Sequence, residues 1–167
     1  MTELAGEIAD GVIFSSMLTA GLLEKMSWPA LERGLERSCR TRKDFEVGSV
    51  IFCSIDDDVA QARDMMRLCV AYHAARFPDL ALKAGFSDQL DLIVPAIKAG
   101  DSAAAASAVT DQMVEEIAVV GTAKGVREEL MRYKGLIDWP VLMPPIGLTP
   151  ENSRNQIERI IDTFGSI

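Results

Sequence analysis

Cys69 and His73 stand four residues apart, a spacing that puts both side chains on one face of a helix and would supply a tetrahedral metal ion with two of its four ligands. No second Cys/His pair completes the set. His73 is the one histidine, and Cys39 and Cys53 stand apart with no CxxC spacing, so both residues of the pair read as structural or surface side chains and no metal is expected. Asp56-Asp57-Asp58 offers three carboxylates. A calcium loop would need oxygen ligands at alternating positions and a glycine at the sixth, and Ala60 to Met65 provide neither. The triplet reads instead as the N-cap of the next helix, its charge at the positive end of the helix dipole. Arg40-Thr41-Arg42-Lys43 is the one short basic run, and in a chain of net charge -8 it reads as a solvated loop rather than a phosphate-binding face.

The elements that must position any chemistry alternate between strands and helices. Residues 10–16 and 45–55 form continuous apolar runs, the latter rich in β-branched and aromatic residues, as expected of strands covered on both faces. Residues 137–143 form a third run, in which Pro140 lacks an N–H and favours a strand end or a sheet edge. Helical spacing marks Val59, Ala62, Met66, Cys69 and Val70, and the pattern stays helical almost throughout 80–134. A last helix is expected after the Thr149 cap and Pro150, with Ile157, Ile160, Ile161 and Phe164 forming an apolar stripe that packs on a sheet and ends at Gly165. His73, inside the helix after the second strand, is expected in the outer ring and is not assigned as an acid or base.

Length and composition imply one domain over 1–167, with 49% hydrophobic residues able to bury a core. No apolar stretch reaches the roughly 20 residues of a membrane span, and neither GxGxxG nor GxxxxGK is present. Three unpaired cysteines and a start without a signal pattern imply a cytoplasmic protein with no nucleic-acid or membrane partner. Strand, helix, strand, helices, strand, helix is the grammar of βα units, and composition and periodicity go no further than an α/β fold.

Four blocks carry a resemblance. Ala5-Gly6-Glu7-Ile8-Ala9-Asp10-Gly11 is similar to the signature that joins a helix to a late barrel strand in luciferase-like oxidoreductases. Asp44-Phe45-Glu46-Val47, with the run Val50 to Ile55 and Asp57-Asp58, resembles that family's next strand and helix start. Residues 109–122 with Val126-Arg127-Glu128-Glu129-Leu130 resemble its VTDEMVD…GTPEEVRERL pattern, Ala123-Lys124 replacing Pro-Glu. Asp138-Trp139-Pro140-Val141-Leu142 with Pro144-Pro145 resembles its final strand and exit loop. Order and spacing match over nearly the whole chain.

Within that superfamily the pattern is nearest the methylenetetrahydromethanopterin reductase-like branch. The resemblance implies a partial (β/α)8 TIM barrel: the last three or so βα units, with a helical insertion before the final strand and the earlier strands lying before Met1. It implies an oxidoreductase that transfers a hydride between a small organic substrate and coenzyme F420, or alternatively FMN as in the monooxygenase members. Barrel sites sit at the C-terminal ends of the strands. The candidates here are therefore Ser15 and Ser16, then Ser54, then Met143, Pro144 and Pro145, as cofactor contacts or pocket wall, with the catalytic residues expected before Met1. The isolated chain is expected to be inactive and to form a homo-oligomer or pair with an N-terminal half. The alternative is a shortened, non-catalytic flavin-binding or assembly-partner protein.

Overall fold

A computed structural model describes residues 1–165. The elements run α1 (Thr2–Ile8), β1 (Gly11–Phe14), α2 (Ala20–Leu22), α3 (Trp28–Arg37), β2 (Glu46–Ile55), α4 (Val59–Arg76), α5 (Pro78–Lys83), α6 (Ser87–Lys98), α7 (Ser102–Ser107), α8 (Asp111–Ile117), β3 (Ala118–Gly121), α9 (Ala123–Leu130), β4 (Trp139–Met143) and α10 (Pro150–Phe164). A π-helical turn, Leu23–Ser27, joins α2 to α3.

All pairings are parallel and all involve β2. β1 lies against residues 46–49, β3 against 52–55 and β4 against 48–52. Successive residues of a strand send their N–H and C=O groups to opposite edges, so residue parity assigns each neighbour to a side. Glu46 N–H donates to Asp10 O and Asp56 N–H to Gly121 O, so the even positions face β1 and β3. Val47 O accepts from Asp138 N–H, and Ile55 is bonded by the Gln156 side chain, so the odd positions face β4 and α10. β1 and β3 therefore lie end to end along one edge of β2, with β4 along the other. Pro140 sits in β4, an edge strand of the described sheet, where a missing N–H is tolerated.

The same alternation divides the core. Val47, Ile51, Cys53 and Ile55 pack with Leu31 and Leu35 of α3, Val126 of α9, and Ile160 and Phe164 of α10. Phe52 packs instead with Met66 and Val70 of α4, Ile93 of α6 and Met113 of α8. Helices α3, α9 and α10 each follow a strand of the sheet and share one face, as right-handed crossovers require, so that face is the outer side of a barrel and the opposite one its inner side. The chain is thus a partial (β/α)8 barrel in which β1, β2 and β4 are parallel neighbours in chain order. The insertion α4 to α8 roofs the inner face at the C-terminal end of β2.

Several expectations need correction. The helical pattern over 80–134 is broken by β3, whose four residues Ala-Val-Val-Gly are all buried between sheet and helices. Of the described part of α10, Ile160 and Phe164 face the sheet, but Ile157 is 46% and Ile161 59% exposed, while Gln156 and Thr163 are buried in their place. The basic run is partly tethered rather than solvated. Arg40 donates to the carbonyls of Ala9 and Gly6 at 2.6 Å each, neutralising the negative end of α1, and Arg42 donates to Phe45 O and stacks 4.8 Å from the Trp28 ring.

The AGEIADG block acquires a packing reason. A Cβ on Gly6 would stand 2.5 Å from Leu31 O, and one on Gly34 would stand 2.0 Å from Glu3 O, so α1 and α3 cross at two glycines with their backbones in contact. Arg33 and Arg37 clamp the same crossing through Glu3, at 3.1 and 2.5 Å.

Candidate functional site

The inner face has two halves. Toward the C-terminal ends of the strands, Phe52 and its register partner Met143 lie beneath α4, and Met17, from the loop after β1, is buried in the same core. Toward the other end the face is open. Ile13 is 60% and Val141 42% exposed, and Val50 is half-buried. The Trp139 ring lies over Gly48, where a Cβ would meet its carbons at 2.5 Å. Val50, Phe52, Val141 and Met143 share the inner face. Val12 and Phe14 pack in the outer core, and the residue between them, Ile13, points inward.

The serines do not form one cluster. Ser54 is fully buried at the end of β2, two residues beyond Phe52, and its Oγ has no hydrogen-bond partner among the described residues. The β1 register ends at Phe14 opposite Ser49, which places Ser15 level with Val50, four residues and roughly 13 Å below Ser54 along the strand. Ser15 is exposed and its carbonyl accepts from Leu18 N–H at 3.1 Å, while Ser16 is buried. Pro145 is buried and Pro144 half-buried at the exit of β4. Met143 is level with Phe52, two residues before Ser54 on β2, and Pro144 and Pro145 follow it directly.

His73 is the residue that sequence reasoning placed wrongly. Its ring meets Phe52 edge-on, 4.6 Å between centroids at 71°, so the imidazole sits on the inner side of the sheet and not in the outer ring. The error came from treating α4 as an ordinary barrel helix, whereas it opens the insertion that covers the strand ends. Nδ1 lies 2.9 Å from Cys69 O, four residues back, a contact in which Nδ1 carries a proton and donates, and Nε2 is left uncommitted. Cys69 is buried on the same face, 4.0 Å from that ring. Burial pushes its thiol up to about 11, against the opposing effect of the Ile146 N–H bonded to it. Ile146 belongs to the loop after Pro144-Pro145, and a Cβ on the next residue, Gly147, would meet Leu68 of α4 at 3.1 Å, so the β4 exit packs against α4. Burial likewise pushes Cys53 up to about 12, which leaves both thiols protonated and unreactive at neutral pH.

A cavity of about 540 Å³ opens above His73, walled by Tyr72, Ala75, Arg76, Ile97 and Ile146. A second, of about 450 Å³, lies between α4, α8 and α9. Its charged lining, including Arg63, Glu115, Glu129 and Arg132, is largely paired internally: Arg63 to Glu115 at 2.6 Å and Arg132 to Glu129 at 3.0 Å. The Asp triplet behaves as a cap, Asp58 accepting from Ala60 N–H at 2.9 Å. Among the described residues no cluster of three or more His, Cys, Asp or Glu side chains could hold a metal, and no helix is long and apolar enough to cross a membrane.

This geometry can be set beside known proteins. A 5,10-methylenetetrahydromethanopterin reductase of Methanopyrus kandleri is 28% identical over 156 residues, 92% of this chain and 44% of the relative. An uncharacterised protein of Mycobacterium tuberculosis is 31% identical over 144 residues, 83% of this chain and 42% of the relative. The chain thus spans less than half the length of these relatives. Among solved structures, a coenzyme F420 dependent tetrahydromethanopterin reductase from Methanopyrus kandleri superposes with a TM-score of 0.76 at 23% identity, over 96% of this chain and 46% of that one. An F420-dependent secondary alcohol dehydrogenase in complex with an F420-acetone adduct gives 0.63 at 16%, over 97% and 45%. Both superpositions show the fold. A sequence model of the luciferase-like monooxygenase family matches residues 1–138, and the chain belongs to that family.

Proposed function

We propose that this chain supplies the C-terminal part of a luciferase-like oxidoreductase, transferring a hydride between coenzyme F420, or FMN, and a small organic substrate. The observation that carries this reading is the buried Ser54 hydroxyl at the C-terminal end of β2, unpartnered among the described residues and set in largely apolar surroundings where barrel sites lie. An enclosed, largely apolar space with a few polar groups is what a planar redox cofactor needs. Residues at the strand ends fit one wall of it. Met143, Pro144 and Pro145 give a rigid apolar surface against which a ring could rest, and the unpartnered Ser54 hydroxyl gives one hydrogen-bonding group beside it. Ser15 and Ser16 would contribute from below. The bound cofactor supplies the hydride chemistry; these residues orient it and exclude water.

The family match and the relatives' printed names support the oxidoreductase class. Because the chain covers 44% of the reductase relative, the catalytic groups would come from the remainder of the barrel. Titration of the purified chain with reduced coenzyme F420 and with FMN tests this. Weak binding and no hydride transfer are expected, with binding tightening when a polypeptide carrying the complementary barrel strands is added. Stoichiometric, submicromolar binding by the chain alone would refute the incomplete-site reading.

A further inference from the structure

The cavity above His73 contains polar groups whose charge or second hydrogen-bonding site has no polar partner among the described residues. Arg76 lines it and, among the described residues, makes no ion pair or hydrogen bond; its guanidinium lies 5.6 Å from the Phe77 ring centroid. His73 commits Nδ1 to Cys69 O, which leaves Nε2 as the ring's free hydrogen-bonding nitrogen. The two residues are three apart on α4, so their side chains are neighbours on the helix surface. The remaining wall is hydrocarbon: Ala75, Ile97, Ile146 and the face of Tyr72, whose hydroxyl is engaged with Ser102 Oγ at 3.2 Å.

An unpaired cation in a chain of net charge -8 is not balancing an excess of its own sign; every other arginine on α4 already has a carboxylate, Arg63 with Glu115 and Arg67 with Asp64 and Asp111. The cavity volume, about 540 Å³, lies in the range of small-molecule sites. We infer that this cavity binds an organic acid: a carboxyl group held by Arg76 and His73, with a compact aromatic or branched hydrocarbon body against Ile97 and Ile146. A carboxyl group answers both polar partners. Its oxygens accept from the guanidinium, and one of them shares a single proton with Nε2, carried by the imidazole or by the acid. An alcohol would satisfy Nε2 and leave the guanidinium unpaired. Inorganic phosphate would satisfy the guanidinium and leave the hydrocarbon wall facing water.

The inference does not depend on the oxidoreductase reading, since the cavity is complete within α4, α6 and the loop after β4. Benzoate serves as the probe, with benzamide as its uncharged counterpart, measured on the full 167-residue chain by calorimetry and by chemical-shift changes at the His73 ring. Saturable benzoate binding is expected, weakened about tenfold or more in Arg76→Gln, the loss of one charge-assisted hydrogen bond. His73→Gln should weaken it as well, and Arg159→Gln, at a distant ion pair, should not. Arg76 is exposed, so its substitution leaves the fold intact; unchanged circular dichroism and melting confirm that point. Benzamide binding as tightly as benzoate, equal binding to Arg76→Gln, or no shift at His73 with benzoate in large excess would each overturn the assignment.

Discussion

The side-chain amide of Gln156 bonds both backbone groups of Ile55. Its Oε1 accepts from Ile55 N–H at 2.9 Å and its Nε2 donates to Ile55 O at 3.0 Å. β4 ends at Met143, opposite Phe52, so beyond that point no strand among the described residues lies along that edge of β2, and the amide of α10 takes the place of one. A buried donor and acceptor each cost about 1 to 3 kcal/mol when left unpaired. Gln156→Ala should therefore lower stability by about 2 to 6 kcal/mol in urea titrations. Gln156→Glu retains the acceptor but places a carboxylate against Ile55 O, so its deficit should shrink on acidification, when the protonated acid can donate. A Gln156→Glu deficit that is independent of pH would show that the pair is not what holds the edge.

How much of this was legible in the sequence differs from element to element. β2 was legible because, after the exposed Glu46, eight of its nine remaining residues are buried and Val50 is half-buried, which leaves an apolar run with no alternation to mislead. β3 was not, since Ala118–Gly121 is four residues long and is flanked on both sides by helices whose spacing absorbs it. The role of Gln156 gave no signal at all, because a glutamine at helical spacing reads as solvated and its partner lies 101 residues away. His73 failed for a topological reason: periodicity identified α4, but only three-dimensional packing shows that α4 roofs the strand ends. Ser54, Met143, Pro144 and Pro145 follow from the rule for barrel strand ends; the structure puts Met143, Pro144 and Pro145 in succession at the β4 exit, Ser54 two residues past Phe52 on β2, and Ser15 well below them.

Ser54 Oγ is buried and has no partner among the described residues. If its hydroxyl serves only when a ligand is present, the free protein carries its desolvation cost for no return. Ser54→Ala should then raise the stability of the free chain by about 1 kcal/mol, read as a higher urea midpoint with an unchanged slope. A destabilised variant would mean that the hydroxyl is satisfied in solution.

Asp138 ties the approach to β4 against the start of β2. Its Oδ2 accepts from Val47 N–H and its Oδ1 from Arg42, both at 2.7 Å. Desolvation acts to raise its pKa, but the bonds from Arg42 and Val47 outweigh it and hold the carboxyl below the ordinary value of 3.8. A carboxyl whose folded pKa is depressed contributes stability that is present above the unfolded pKa and lost as pH falls through the folded one. Asp138→Asn should accordingly be less stable than the natural chain at neutral pH. The difference should fade below about pH 4, the region of the unfolded carboxyl's titration. Because the side chain is 39% exposed, solvent screens the effect and the expected difference is small. A gap that persists unchanged at acid pH would assign it to geometry instead of charge.

The open half of the inner face sets the last expectation. Ile13 and Val141 are largely in water, Val50 and Trp139 partly so, and among the described residues β1 and β4 each pair with β2 alone, which leaves two strand edges bare. Fully burying one such side chain is worth about 1.5 to 3 kcal/mol, so covering the four recovers several kcal/mol, comparable to the whole stability of a small domain. Unpaired edges add a directional component, since parallel strands can dock there through backbone hydrogen bonds. The 167-residue chain should therefore associate, with itself when alone or with a polypeptide that carries complementary barrel strands. Light scattering after size exclusion should report a dimer or larger species at micromolar concentration. Ile13→Lys with Val141→Lys, which places like charges on that face without touching either core, should shift the population toward monomer. A natural chain that elutes as a cooperatively melting monomer and binds no apolar dye would show that the inner face is stable in water as it stands.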